Sequence, residues 1–95
     1  MEKELEIKAR AFDRLINHLD QRKDVQNIDL MILAGFCRNC LSNWMSEEAK
    51  IIGTDLNKES ARELIYKMPY SKWKEKHQLP VSDEKLETFK KSKTK

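Results

Sequence analysis

Ninety-five residues, 39% of them apolar and 37% charged, suffice for one domain with a single modest core. Two glycines and two prolines allow few tight turns, which argues against a β-sandwich or barrel. The net charge of +3 resides in residues 90–95, which hold four lysines; the other 15 basic and 16 acidic side chains nearly cancel, leaving no basic stripe for a phosphate backbone.

Residues 2–22 read as the first helix. Leu5, Ala9, Phe12, Ile16 and Leu19 advance by four, three, four and three residues, and Leu15 joins their stripe. Arg10, Arg14 and Asn17 fall on the opposite, solvated face.

After the polar break of residues 20–24, Asn27 is the expected N-cap of a long second helix over 28–49, with Asp29 in its first turn and Gly53 as a stop signal. On a helical wheel Leu30, Leu33, Ala34, Cys37, Cys40, Leu41, Trp44 and Met45 share one broad face. Ile28, Ile32 and Phe36 form a second. A helix apolar on two sides is central in its fold or covered by another chain. Gly35, in its middle, suggests close approach of a second backbone; a kink or break with restart near Phe36 is the alternative.

A third helix starts at the N-cap Asn57 and carries the face Ala61, Leu64, Ile65, Met68. Pro69 ends it and opens a short helix with Tyr70, Trp73 and His77 on one side. Residues 79–82 are a linker, and Ser82 caps a last short helix that offers Leu86 and Phe89. The expected fold is all-α: a compact bundle of four to five helices around the 28–49 helix, one domain over 1–89 and a flexible lysine-rich tail over 90–95.

The pair Cys37-x-x-Cys40 has three readings. A structural zinc site needs two further ligands, and His18 and His77 are far apart in sequence. A redox motif places its first cysteine at an exposed helix N-terminus after a strand, whereas here both cysteines fall mid-helix with no strand before them. The preferred reading is structural: two small apolar side chains packed in the core. Arg38 lies at the edge of the apolar arc, where an arginine snorkels or pairs with a carboxylate. Trp44, Tyr66, Tyr70 and Trp73 read as core or interface anchors. No phosphate-binding glycine loop, nucleophile elbow or HExxH sequence occurs.

The segments Gly35-Phe36-Cys37-Arg38-Asn39-Cys40-Leu41-Ser42-Asn43-Trp44 and Met68-Pro69-Tyr70-Ser71-Lys72-Trp73-Lys74 resemble a small proteobacterial family, the domain of unknown function 1244 family. The resemblance covers most of the chain except the lysine tail. It implies a compact all-helical domain and a homodimer, and it supplies no activity. The family pattern often has Tyr where this chain has Met45 and Gly where it has Lys67.

The resulting expectation is an uncharacterised bacterial interaction or dimerisation module, without catalytic residues, cofactor or metal. The acidic, charge-dense start Met1-Glu2-Lys3-Glu4-Leu5-Glu6 is unlike a signal peptide, and no apolar run reaches the roughly 20 residues of a membrane span. A cytoplasmic homodimer with no membrane partner is therefore expected. The candidate patch is Cys37, Arg38, Asn39, Cys40, Trp44, Tyr70 and Trp73. The alternatives are a metal or thiol site on Cys37 and Cys40 and a weak nucleic-acid contact through the C-terminal lysines.

Overall fold

The computed structural model describes residues 2–93, and every regular element in them is helical. Six helices follow in order: α1 (Glu2–Gln21), α2 (Asn27–Ala34), α3 (Arg38–Ile51), α4 (Lys58–Tyr66), α5 (Tyr70–His77) and α6 (Asp83–Lys93). Of the lysine-rich stretch, residues 90–93 continue α6, while Thr94 and Lys95 lie outside the described residues.

The expected 28–49 helix is two helices. Gly35 takes a left-handed conformation with φ +77° and caps α2, its N–H donating to the Met31 carbonyl at 3.0 Å. Cys37 is fully extended (φ −140°, ψ −176°) and is the N-cap of α3. The break shifts the helical phase, so the single apolar wheel does not survive. Cys37 and Leu41 are buried, whereas Leu33 is 84% exposed and Trp44 49% exposed. A Cβ added at Gly35 would meet nothing within 4 Å. The glycine is there for its positive φ, not for a close backbone approach.

Two further expectations are corrected. Gln26, not Asn27, caps α2, and its backbone N–H donates to Asp29 at 3.0 Å. Pro69 is the N-cap of α5 rather than its first residue. Other terminus signals hold: Asn57 accepts from the Ser60 amide at 2.8 Å, and Ser82 from the Lys85 amide at 3.2 Å. Gly53 (φ +82°) follows the end of α3 and donates to the Lys50 carbonyl.

The core joins Ile16 and Leu19 of α1, Leu30 of α2, Cys37 and Leu41 beside and within α3, Ile65 and Tyr66 of α4 and Trp73 of α5. Helices α3 and α4 pack most extensively. Ser42 and Ala61 are fully buried on these two helices, and small side chains let helix axes approach. Helix α6 lies along α2, where Lys85 pairs with Asp29 at 2.8 Å. A cavity between the two helices is lined by Asp29 and Ile32 of α2 and by Lys85 and Thr88 of α6. Only the C-terminal half of α1 joins the core: from Glu2 to Ala11 every residue is exposed.

Candidate functional site

Arg38 is the first residue of α3, and the extended Cys37 before it directs its side chain under the C-terminal end of α1. It is 2% exposed. Nη1 donates to the Val25 carbonyl at 2.8 Å and to Asn27 Oδ1 at 3.1 Å. Nη2 donates to the carbonyls of Leu19 at 3.1 Å and Arg22 at 2.9 Å. All four Nη protons are thereby used. The guanidinium carbon stands 5.1 Å from the centre of the Trp73 ring.

The sequence reading expected this arginine to snorkel or to meet a carboxylate; it does neither. Its charge is balanced by main-chain oxygens at the negative end of the α1 dipole and by the face of an indole. Asp20 and Asp24 act on it only through the longer-range field. Burial pushes the guanidinium down from its ordinary value, yet a guanidinium remains protonated in proteins. Arg38 is thus a cationic cap for α1, supplied from 16 to 19 residues away.

A second network joins this one at Asn27. Its Oδ1 accepts from the Arg38 guanidinium and, at 3.4 Å, from the Arg38 backbone amide, so a residue of α2 also caps α3. Asn27 Nδ2 donates to the Tyr66 hydroxyl at 3.1 Å. That hydroxyl donates to Asn39 Oδ1 at 2.8 Å, and Asn39 Nδ2 donates to the Tyr70 hydroxyl at 3.3 Å. Burial holds the Tyr66 phenol far above its ordinary range, so it keeps its proton and serves as a donor, not a base. The rings of Tyr66 lie 4.9 Å from Tyr70 and 4.8 Å from Trp73, and Trp73 lies 5.6 Å from His77. Arg62 and Lys74 stand over Tyr70 at 5.0 and 5.7 Å. A cavity of about 180 Å³ opens against this network, bordered by Asn27, Asn39, Tyr70, Leu79 and Val81.

The candidate patch is therefore divided. Arg38, Asn39, Tyr70 and Trp73 come together around Tyr66. Trp44 points elsewhere and meets Phe36 at 6.0 Å between ring centres. Cys37 is buried in the core and Cys40 is half-buried beside it, both as free thiols. Burial raises the Cys37 thiol above its ordinary value, and the amides of Cys40 and Asn39 oppose that rise.

Sequence reading missed Gln26 and the linking role of Asn27. Buried Gln26 donates to the His77 carbonyl and accepts from the Leu79 amide, both at 2.9 Å, and so ties the end of α5 to the start of α2. Nothing in their residue types marks them, because their partners lie up to 53 residues away. Each polar group of the network is engaged in holding helices together, an arrangement suited to rigidity rather than proton transfer.

His18 is exposed on α1 and His77 is half-buried against Trp73, and neither joins the cysteines. Among the described residues no group of three or more His, Cys, Asp or Glu is placed to hold a metal ion. Nor is any described helix long and apolar enough to cross a membrane.

No curated protein matches the chain. A family model does, over residues 25–91, a span that begins after α1 and contains Arg38, Asn27, the tyrosine network and both cysteines. With that match over most of its length, the chain belongs to the family described as "Protein of unknown function (DUF1244)".

Proposed function

We propose that the protein is a non-enzymatic dimerisation module, and that two copies associate through the N-terminal half of α1. The observation that carries this reading is the stripe of α1. Leu5, Ala9, Phe12, Ile16 and Leu19 have the alternating spacing of a coiled-coil seam. Ile16 and Leu19 are buried in their own chain, but the seam continues outward to Leu5, which is 65% exposed. Gly35 and the Ile32 face, the sequence-based grounds for a dimer, give way to this surface.

Charge favours a second copy of the same helix in antiparallel register. The first turns of α1 carry Glu2, Glu4 and Glu6 against one Lys3, and the next turn carries Lys8 beside the stripe. Antiparallel pairing sets the acidic first turns of one copy beside Lys8 of the other and opposes the two helix dipoles. A contact of two or three helical turns is small, so association on the order of micromolar is expected.

Light scattering after size exclusion over a concentration series tests this. The expected result is a mass rising towards two chains, with Leu5→Glu remaining a monomer of unchanged helical circular dichroism. A wild-type mass of one chain throughout the series would overturn the reading.

A further inference from the structure

We infer that Cys37 and Cys40 are a redox-active dithiol that closes to an intramolecular disulfide by exchange with a low-molecular-mass disulfide, with Cys40 as the entry thiol. This goes beyond the proposed dimerisation, which does not involve either sulfur.

The geometry rests on the break in the 28–49 segment. Within a continuous helix, residues three apart direct their Cβ atoms in parallel toward the N-terminus and bridge poorly. Here Cys37 is the N-cap, in extended conformation, and Cys40 is the third residue of α3. Those are the two positions whose side chains cross over the first turn in a capping box. The Cys40 amide donates to the Cys37 carbonyl at 3.0 Å, closing that turn. A helical turn of three residues separates Cα atoms by about 5 Å, inside the range a disulfide spans.

The two thiols differ in access, as sequential exchange requires. Cys40 is half-buried, one helical turn from the half-exposed Trp44, whereas Cys37 is buried among core side chains. The Cys40 thiolate attacks one sulfur of the external disulfide. A mixed disulfide forms on Cys40 and one thiolate leaves. Cys37 then loses its proton and attacks the Cys40 sulfur, releasing the second thiolate. The amides of Asn39 and Cys40 favour the Cys37 thiolate at that moment, against the burial that otherwise keeps it protonated. The two protein thiols are oxidised by two electrons, and the external disulfide is reduced to two thiols.

The test uses the full chain equilibrated in glutathione buffers graded from reduced to oxidised. After an acid quench, thiols are alkylated under denaturing conditions and the intact mass is measured. The expected wild-type product loses both thiols together and two hydrogens in mass, reversibly with dithiothreitol. Cys37→Ser is expected to accumulate the glutathione mixed disulfide on Cys40. Cys40→Ser is expected to leave Cys37 at least tenfold slower to react in the folded protein. Retention of both thiols in fully oxidised buffer overturns the inference, as does wild-type protein that stops at a mixed disulfide. Reaction of Cys37 in Cys40→Ser at the rate of Cys40 removes the assigned order. If a serine variant fails to fold, the wild-type arm alone decides closure.

Discussion

Replacing Arg38 by methionine keeps an unbranched side chain of similar length and removes the cation. Four acceptors lose a donor, the carbonyls of Leu19, Arg22 and Val25 and Asn27 Oδ1, although Leu19 and Arg22 keep the amides of Arg22 and Val25, and Asn27 keeps the amide of residue 38. The Leu19 bond is buried, but that carbonyl keeps the Arg22 amide, so losing the guanidinium there costs about 1–1.5 kcal/mol. The other three are partly accessible to water, so each loses about 0.5–1 kcal/mol. The contact with Trp73 adds about 1 kcal/mol. Relief from desolvating the guanidinium offsets part of this, leaving a net loss of about 3–5 kcal/mol. For a domain of this size the total stability is about 5–14 kcal/mol, so the variant is expected to melt about 15–30 °C lower. Urea unfolding followed by circular dichroism and by tryptophan fluorescence measures the change. Arg38→Lys should fall between wild type and Arg38→Met, since an ammonium has three donors for four acceptors and no planar fork. A loss below about 1 kcal/mol for Arg38→Met would refute the view that this cation holds the end of α1.

Lys67 is the one non-glycine residue with positive φ among those described, at φ 61° as the C-cap of α4. Lys67→Gly should stabilise by about 0.5 kcal/mol in urea, because about 1 kcal/mol of left-handed strain outweighs its exposed contacts to Asn17 and Asp20; destabilisation would contradict this. Tyr66→Phe keeps the ring packing but strips the hydroxyl from Asn27 and Asn39, and a loss of about 1–2 kcal/mol is expected by the same assay, with no loss arguing that the network contributes little. Asp29 is held below its ordinary value of 3.8, first by Lys85 and then by the Gln26 amide. Because its folded pKa is the lower one, its contribution is complete above about pH 4 and is lost as pH falls through the depressed value. Wild type should therefore lose more stability than Asp29→Asn between pH 4 and pH 2, and parallel acid titrations would remove this role for the α2–α6 contact.

Much of the local structure was legible in advance. The stripe of α1, the cap at Asn57, the stop at Pro69 and the cap at Ser82 are signals within a few residues of the elements they shape, and each helix they mark is present. The chemistry of Gly35 was legible but its use was not. The same residue permits a close approach, a kink or a left-handed cap, and the choice depends on whether anything lies opposite it. Nothing does, so the helix ends there, and Cys37 moves from a helix interior to a helix start.

Arg38 shows where such reading stops. Its residue type announces five donors and a charge, but three of its four acceptors are main-chain carbonyls, which every residue possesses and no side chain advertises. Periodicity and caps fixed an all-helical chain because those preferences act over one or two turns. Which loop oxygens surround the cation, which tyrosine joins the asparagines, and which half of α1 is left uncovered depend on contacts between segments as much as 50 residues apart. Packing alone brings those segments together.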